Sequence, residues 1–283
     1  MRLRAYAKVN LYLDVLRRRP DGYHDILTLF QSVSLCDELV VRRSKEIWVE
    51  CDMPGVPSGV MNLAYKAAKL LKDVVGLREG VSVEIRKRIP PGAGLGGGSA
   101  DAAAVLVAMN ELFSLNLEIG TLMELGAELG ADVPFCISGG TAIGEGRGDV
   151  LTTFKPLEGF WLVLAYPGVH ISTGWAYGRL RLTEPRVNAR ILIRLKEVTP
   201  EAVPDLLFNV FEDVVFPEHP EIARLKDRML ELGARGALMS GSGSTVFGLF
   251  FDEAEARKAL AAISKEVPFS QIVRPVPRGV EID

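Results

Sequence analysis

PPGAGLGGGSADAAA, residues 90–104, holds five glycines within seven positions and follows a strand-like apolar run, 81–89. An alanine-rich helical pattern begins near Ala100. Glycine loses more conformational freedom on folding than any other residue, and a plain strand-to-helix turn needs only one or two of them. A glycine-rich backbone that leads into a helix N-terminus places N–H groups close to an anion, most often a phosphate. The stretch therefore predicts a phosphate-binding loop.

Two common phosphate-loop patterns can be compared with this stretch. The pattern G-x-x-x-x-G-K-[ST] is absent because no lysine follows the glycines. Gly92, Gly94 and Gly97 match the dinucleotide pattern G-x-G-x-x-G, which is a weak signal by itself. A dinucleotide-binding unit also has a second strand that ends in an acidic residue about 20 residues further on. Here 120–130 has a helical pattern, so a dinucleotide site is the less favoured alternative.

Composition excludes several classes of protein. The chain has 283 residues, which suits one large domain or two modest ones, and a net charge of −3 gives no basis for nucleic-acid or membrane binding. No apolar run of about 18 residues is present, and the N-terminal segment turns polar too early for a signal peptide. Three cysteines without C-x-x-C spacing indicate free thiols. We expect a cytoplasmic enzyme with no nucleic-acid or membrane partner; the oligomeric state stays open.

Periodicity and turn residues predict an α+β protein with a boundary near 150–160. One helix is expected to start at a capping box, Thr121 to Glu124. The other predicted helices are 62–75, 100–113, 173–181, 190–196, 203–214, 220–232 and 253–265, with Asp252 expected to cap the last of them. Predicted strands include 1–15, 81–89, 160–166, 246–251 and 272–276.

The first strand alternates almost without a break, with apolar residues at the odd positions from Leu3 to Val15. Lys8 and Asn10 therefore lie on its other face, about 7 Å apart along the strand. On periodicity alone that face is expected to be solvated, as in many antiparallel sheets.

Two further segments allow two interpretations each. Asp132 stands just before Pro134, and its residue type is common at helix N-caps, so local sequence favours a capping role. The small residues 240–245 separate two apolar strand-like runs, whereas a simple hairpin normally uses two to five residues. Ligand contact and a simple turn are equally compatible with that segment.

Taken in order, five segments resemble the kinase superfamily that includes galactokinase, homoserine kinase, mevalonate kinase and phosphomevalonate kinase. The segments are AKVNL (7–11), RPDGYH (19–24), PGAGLGGGSA (91–100), GADVPF (130–135) and MSGSGS (239–244). The A-K-V-N and D-G-Y-H elements are typical of the members that phosphorylate a cytidine diphosphate-linked polyol. The resemblance covers nearly the whole chain, and 180–215 is the part that no motif anchors.

The resemblance implies a fold and a reaction. The fold is a ribosomal-S5-like N-terminal domain, 1–155, that binds ATP and holds the catalytic residues, beside a ferredoxin-like C-terminal domain, 156–283, on the substrate side. The reaction transfers the γ-phosphate of ATP to the C2 hydroxyl of a cytidine diphosphate-linked methylerythritol, in the non-mevalonate route to isoprenoid precursors. Mg²⁺ is expected with ATP, with Ser99 as a possible ligand, and its other ligands are unassigned.

The resemblance also assigns residues to roles. Asp132 matches a general base and Lys8 matches the lysine beside it, where a cation stabilises developing negative charge. The substrate-binding matches are Asn10 near the polyol, His24 at the cytosine edge, and Tyr23 and Tyr177 near the cytosine ring. The ATP-binding matches are Asn62 at the adenine and Pro91, Gly92, Gly94, Leu95, Gly96, Gly97, Gly98, Ser99, Ser240, Gly241, Ser242 and Gly243 around the phosphates.

Two rival functions remain at this stage. The first is another kinase of the superfamily, acting on homoserine or a mevalonate derivative; the Tyr23-His24 pair argues against it because those substrates carry no nucleobase. The second is a non-catalytic nucleotide-binding regulator with the same fold, and the presence of both Lys8 and Asp132 argues against that.

Overall fold

A computed structural model describes residues 1–182 and 189–283 of the chain. Its strands are β1 (Arg2–Arg18), β2 (His24–Ser44), β3 (Trp48–Cys51), β4 (Gly80–Arg86), β5 (Thr141–Glu145), β6 (Val150–Phe154), β7 (Trp161–Tyr166), β8 (Phe208–Asn209), β9 (Gly236–Met239), β10 (Val246–Phe250), β11 (Phe269–Val273) and β12 (Val280–Ile282). Its α-helices are α1 (Leu63–Val75), α2 (Gly97–Leu112), α3 (Ile119–Leu129), α4 (Val133–Ser138), α5 (Thr173–Arg179), α6 (Ala189–Lys196), α7 (Glu212–Val215), α8 (Pro220–Glu231) and α9 (Glu253–Ile263).

The first sheet has eight strands, in the order β12-β1-β2-β4-β3, with β5 beside β2, β6 beside β5 and β8 beside β1. Helices α1 and α2 pack against this sheet and against each other. The alanine-rich sequence of α2 allows this close packing, since most of its residues are buried. Small side chains thus bring the helix that follows the glycine loop down onto the sheet.

The second sheet is antiparallel, with the order β11-β7-β10-β9. Helix α8 packs on β9 and β10, and α9 packs on β7, β10 and β11. This is the β-α-β-β-α-β arrangement of ferredoxin-like domains. The predicted α+β class is confirmed.

The two sheets are not separated cleanly along the chain. Strands β8 and β12 come after residue 156, and both pair with β1 in the first sheet. The division into 1–155 and 156–283 as functional domains stays a prediction.

The expectation of a solvated even face on β1 is wrong. Lys8 is 4% exposed and Asn10 is 2% exposed. The glycine loop covers this face at Lys8, because a Cβ on Gly96 would lie 2.9 Å from Lys8 Cγ. Alternation alone cannot reveal a cover that arrives from residues 80 or more positions away.

Several helix boundaries also differ from the predictions. Helix α3 begins at Ile119, so Thr121 lies inside the helix and the capping-box prediction is wrong. The predicted helix 203–214 is a 3₁₀ helix, Pro200–Leu206, then β8 and the short α7. Pro204 interrupts the helical pattern because it has no N–H to donate, and pairing with β1 draws β8 into the sheet.

Other predictions agree with the structure. The side chain of Asp252 accepts from the N–H of Glu255 and caps the start of α9, as expected. The three cysteines are free thiols. Strand β12 is a feature that the sequence patterns did not predict. Within 1–182 and 189–283, no helix has the length and apolarity needed to cross a membrane.

Candidate active site

A cavity of about 1080 Å³ lies between the two sheets and collects most of the predicted site residues. Predicted residues that line it are Lys8, Asn10, Tyr23, His24, Gly92, Gly94, Gly96, Gly97, Gly98, Ser99, Asp132, Tyr177, Gly241, Ser242 and Gly243. Predicted residues outside the lining are Asn62, Pro91, Leu95 and Ser240.

Two parts of the cavity lining present different groups. We call the part lined by Pro90, Gly92, Ala93, Gly94, Gly96, Gly97, Gly98, Ser99 and Gly241, Ser242 and Gly243 the glycine-loop end, and the part lined by Tyr23, His24 and Tyr177 the aromatic end. Lys8 and Asp132 also line the cavity.

Lys8 and Asp132 form an ion pair, with Nζ and Oδ2 3.3 Å apart. The Lys8 side chain is 5% exposed, whereas that of Asp132 is 34% exposed and thus open to the cavity. Asp132 occupies the N-cap position of α4, but its side chain makes no capping hydrogen bond. The expected capping role is therefore wrong, and the carboxylate faces a cation instead.

A chain of hydrogen bonds through neighbouring strand residues fixes the position of the Lys8 ammonium. Lys8 Nζ donates to Asn10 Oδ1 at 2.8 Å, and Asn10 Nδ2 donates to Thr28 Oγ1 at 2.8 Å. Thr28 donates in turn to the Tyr12 carbonyl at 2.7 Å. Since the Thr28 proton is committed to a carbonyl, its oxygen must accept from the Asn10 amide, and the Asn10 oxygen is then turned toward Lys8.

The glycine loop needs glycine for two different reasons. Gly94 has φ +81°, and a Cβ there would overlap the Ser240 carbonyl oxygen. A Cβ at Gly97 would point inward, 2.9 Å from Ile89 Cγ2. Gly98 differs, because a Cβ there meets nothing within 4 Å and Gly98 lines the cavity. Gly98 is thus the position where backbone lies open to a ligand, while Gly97 is needed for packing.

The second small-residue segment, 240–245, packs against the glycine loop. Thr245 N donates to the Ala93 carbonyl at 3.2 Å, and Ser240 Oγ donates to the Gly94 carbonyl at 3.0 Å. Ser240 is fully buried, so its observed role is to join the two loops. Gly241, Ser242 and Gly243 line the cavity, and their contact with ATP stays a prediction.

At the aromatic end, the rings of His24 and Tyr177 stack with centroids 4.7 Å apart and an interplanar angle of 23°. Phe211 supports Tyr177 in an edge contact at 4.8 Å. Burial lowers the pKa of His24, and the Arg18 cation adds to that shift. Burial raises the pKa of Tyr177. Both groups are therefore neutral near pH 7, and a neutral imidazole has one donor and one acceptor nitrogen.

Tyr23 presents an open ring at the same end, with 56% of the residue exposed. The guanidinium of Arg147 lies 5.1 Å from its ring centroid. Asp149 anchors Arg147 through two hydrogen bonds, of 2.8 and 2.6 Å. Arg147 was not among the predicted site residues, although its place between Gly146 and Gly148 marks a turn that brings a cation into the cavity lining.

Cationic side chains outnumber acidic ones in the cavity lining that the structure describes. Lys8, Arg18 and Arg147 line the cavity, against the single carboxylate of Asp132 among the residues that the structure describes. The chain as a whole carries −3. A cavity with cationic walls and an open helix N-terminus suits substrates that carry several phosphate groups.

Asn62 has a structural role of its own. Its Oδ1 accepts from the N–H of Ala64 at 2.8 Å and caps α1, and its Nδ2 donates to the Pro57 carbonyl at 2.8 Å. Leu63, the next residue, lines the cavity. An adenine contact at Asn62 stays a prediction.

Comparison with known proteins defines the class first. Residues 62–140 match the family described as GHMP kinases N terminal domain, and residues 195–268 match GHMP kinases C terminal. A crystal structure of homoserine kinase from Cytophaga hutchinsonii superposes with a TM-score of 0.76 at 21% identity, over 99% of this chain and 96% of that one. This likeness shows the shared fold. The two family matches confirm the predicted kinase superfamily, and the protein is a kinase that uses ATP.

Relatives with higher sequence identity identify the family within this superfamily. The 4-diphosphocytidyl-2-C-methyl-D-erythritol kinase of Geobacter metallireducens is 48% identical over 264 residues, which cover 93% of each chain. A crystal structure of 4-(cytidine 5'-diphospho)-2C-methyl-D-erythritol kinase has a TM-score of 0.83 and 37% identity, over 97% of this chain and 99% of that one. The chain belongs to the 4-diphosphocytidyl-2-C-methyl-D-erythritol kinase family.

Proposed function

We propose that the protein transfers the γ-phosphate of ATP to the C2 hydroxyl of 4-diphosphocytidyl-2-C-methyl-D-erythritol, in the non-mevalonate route to isoprenoid precursors. The observation that carries the proposal is the position of the Lys8–Asp132 pair in the wall of one cavity that also includes the glycine-loop end and the aromatic end. A kinase for a nucleotide-linked alcohol needs these three features in one place. A cytoplasmic location belongs to the same proposal.

In this mechanism Asp132 accepts the proton of the C2 hydroxyl. Its carboxylate is the only one in the cavity lining that the structure describes, and it is partly exposed there. Lys8 stabilises the negative charge that develops as the oxygen attacks phosphorus. Phosphoryl transfer depends mainly on positioning and charge stabilisation, so a fixed cation beside the base suits the reaction.

The phosphates of ATP bind at the glycine-loop end. The N-terminus of α2 begins there, at Gly97, and the exposed backbone at Gly98 offers donors to a phosphate oxygen. A side chain at Gly98 would occupy the space through which a phosphate approaches, so glycine at this position keeps that space open for the triphosphate.

Mg²⁺ is proposed to accompany ATP. Among the described residues, no three His, Cys, Asp or Glu side chains form a metal site. This fits Mg²⁺, which usually takes one or two protein ligands and completes its shell with substrate phosphates and water. The Ser99 hydroxyl, which lies in the lining, is the candidate ligand. When bound, the ion supplies positive charge to the phosphates.

The cytidine half of the substrate binds at the aromatic end. Tyr23 and Tyr177 offer ring faces, and the neutral His24 can match the donor and acceptor edge of cytosine. Asn10, held by Thr28, lies beside Lys8, and we expect it to contact the methylerythritol.

A direct assay tests the proposal. The protein is incubated with Mg-ATP and one of three alcohols in separate reactions: 4-diphosphocytidyl-2-C-methyl-D-erythritol, homoserine or mevalonate. Mass spectrometry then identifies any phosphorylated product. We expect a phosphorylated product only with the first. Phosphorylation of homoserine or mevalonate at a comparable rate would replace the proposal with one of its rivals.

A further inference from the structure

A buried charge cluster lies beneath the glycine loop, outside the cavity lining. Lys87 Nζ donates to Asp37 Oδ2 and, at 2.6 Å, to Asp101 Oδ2. The side chains of Lys87, Asp37 and Asp101 are 2%, 0% and 3% exposed, respectively. The reaction proposed above uses none of them. We propose that this cluster is a positioning device that sets the geometry of the glycine loop for the triphosphate.

The cluster holds the segment that enters the loop. Asp37, in β2, accepts through Oδ1 from the backbone N–H groups of Arg88 and Ile89, at 2.6 and 2.9 Å. These are the last residues before the loop begins at residue 90. One carboxylate thus ties the incoming backbone to the sheet.

The cluster also holds the segment that leaves the loop. Asp101 lies in α2, one turn after Gly97, and receives a hydrogen bond from Lys87. The ammonium lies directly below the start of α2, because a Cβ at Gly97 would stand 3.0 Å from Lys87 Nζ. Both ends of the loop are therefore fastened to one lysine, and the two hydrogen bonds that this lysine donates set the span between them.

The charges of the cluster suit this role. Burial is the main reason why the pKa of Asp101 rises to about 8. This shift favours the protonated form of Asp101, which reduces the negative charge buried beside Lys87. A neutral Asp101 still accepts the hydrogen bond from Lys87, and asparagine can accept the same bond.

Stability alone is a weak reason to keep such a cluster. Well-packed apolar residues in place of a buried ion pair are often neutral or stabilising, whereas loss of one partner is costly. A role in geometry predicts something more specific: breaking the Asp101 bond should harm the binding of ATP and leave the aromatic end unaffected.

The test measures binding at the two ends separately. Asp101→Ala removes the tie to α2 but leaves the Lys87–Asp37 pair intact. We expect the Kd of a non-hydrolysable ATP analogue, measured by calorimetry, to rise about 10-fold, on the scale of one buried charged hydrogen bond. The Kd of CDP should change less than about 2-fold. Asp101→Asn should restore the affinity for the ATP analogue to within about 3-fold of the natural chain.

Two further variants keep the test decisive. Val105→Ala, one turn further along α2 and fully buried, loosens the same helix without touching the cluster, and it should leave the ATP-analogue Kd unchanged. If Asp101→Ala fails to fold, Asp101→Leu breaks the same hydrogen bond while filling the space.

Three results would overturn the inference. They are an unchanged ATP-analogue Kd in a folded Asp101→Ala or Asp101→Leu protein, an equal loss of affinity for ATP analogue and CDP, and an asparagine variant as impaired as alanine. The measurement with the ATP analogue depends only on the use of ATP and not on the identity of the alcohol. If CDP does not bind the natural chain, the proposal for the substrate is wrong, whereas the Kd of the ATP analogue still tests the role of the cluster.

Discussion

The two ends of the cavity are built from different parts of the chain. At the glycine-loop end the wall is backbone, held in place by neighbouring loops and by the buried cluster below it. At the aromatic end the wall is side chains, and Tyr23 is more than half exposed. Substitutions at the first end should affect ATP and the fold together, whereas those at the second should affect substrate choice. Lys8 and Asp132 also lie in the cavity wall and should affect turnover.

The largest expected effect is on turnover. Asp132→Asn keeps the shape of the side chain but removes the base, so kcat should fall by roughly 10²-fold or more. Binding of an ATP analogue should stay within about 3-fold. Steady-state kinetics and calorimetry check the two parts, with Asp73→Asn on the exposed side of α1 as the matched control. A kcat within about 3-fold of the natural chain would remove Asp132 from the role of base.

A smaller effect is expected at the aromatic end. His24→Ala leaves polar edges of the nucleobase unpaired, so kcat/KM for the cytidine-linked alcohol should fall about 10–100-fold. The KM for ATP should not change. His219→Ala, outside the cavity lining, is the control. Loss of ATP affinity with normal use of the alcohol would mean that the two nucleotide sites are reversed.

At the glycine-loop end, two adjacent substitutions should separate binding from folding. Gly98→Val places its side chain in open space along the cavity wall, so it should weaken ATP-analogue binding about 10-fold at unchanged thermal stability. Gly97→Val meets Ile89 and Lys87 and should cost about 1–3 kcal/mol of folding free energy. Calorimetry and denaturant unfolding of both variants check this, and equal effects of the two would contradict the assignment of Gly98 to the ligand.

The smallest expected effect is a pH dependence of stability. The pKa of Asp101 rises from 3.8 to about 8 on burial beside Lys87 and Asp37, so the folded state holds this proton more tightly than the unfolded chain. Its stabilising contribution is full below about pH 4 and is lost as pH rises toward 8.

Asp101→Asn lacks this titration. From pH 5 to pH 7 the free energy of unfolding of the natural chain should therefore fall, relative to the variant, by at least about 1 kcal/mol. Urea unfolding at several pH values measures the difference. A constant difference across this range would show that the proton on Asp101 is not coupled to folding.

Local sequence was informative where one segment determines its own structure. The entry of the glycine-rich stretch into α2, the Asp252 cap and the buried odd face of β1 were each predicted and are observed. It failed where distant segments decide the outcome: Lys8 on the even face of β1 packs against the glycine loop, and Asp132, at the N-cap position of α4, pairs with Lys8. No local pattern could reveal these contacts.

The residues of the candidate site likewise fall into those that the sequence predicted and those that it did not. Motif resemblance alone predicted that Lys8, Asp132, His24 and Tyr177 belong to one site, and all four line the same cavity. Thr28 and the Asp37–Lys87–Asp101 cluster carry no motif of their own, because their roles come from strand register and helix packing.

The pairing of β1 with β12 has a consequence for how the chain reaches its fold. Arg4 in β1 meets Asp283 across a separation of 279 residues. Until that partner has been synthesised, the stretch of the first strand from Leu3 to Ala5 lacks its neighbour on that edge, and its N–H and C=O groups are open to pairing with another strand. Long-range pairings of this kind also slow folding. During synthesis, therefore, the start of the strand that carries Lys8 is open to pairing with another nascent chain.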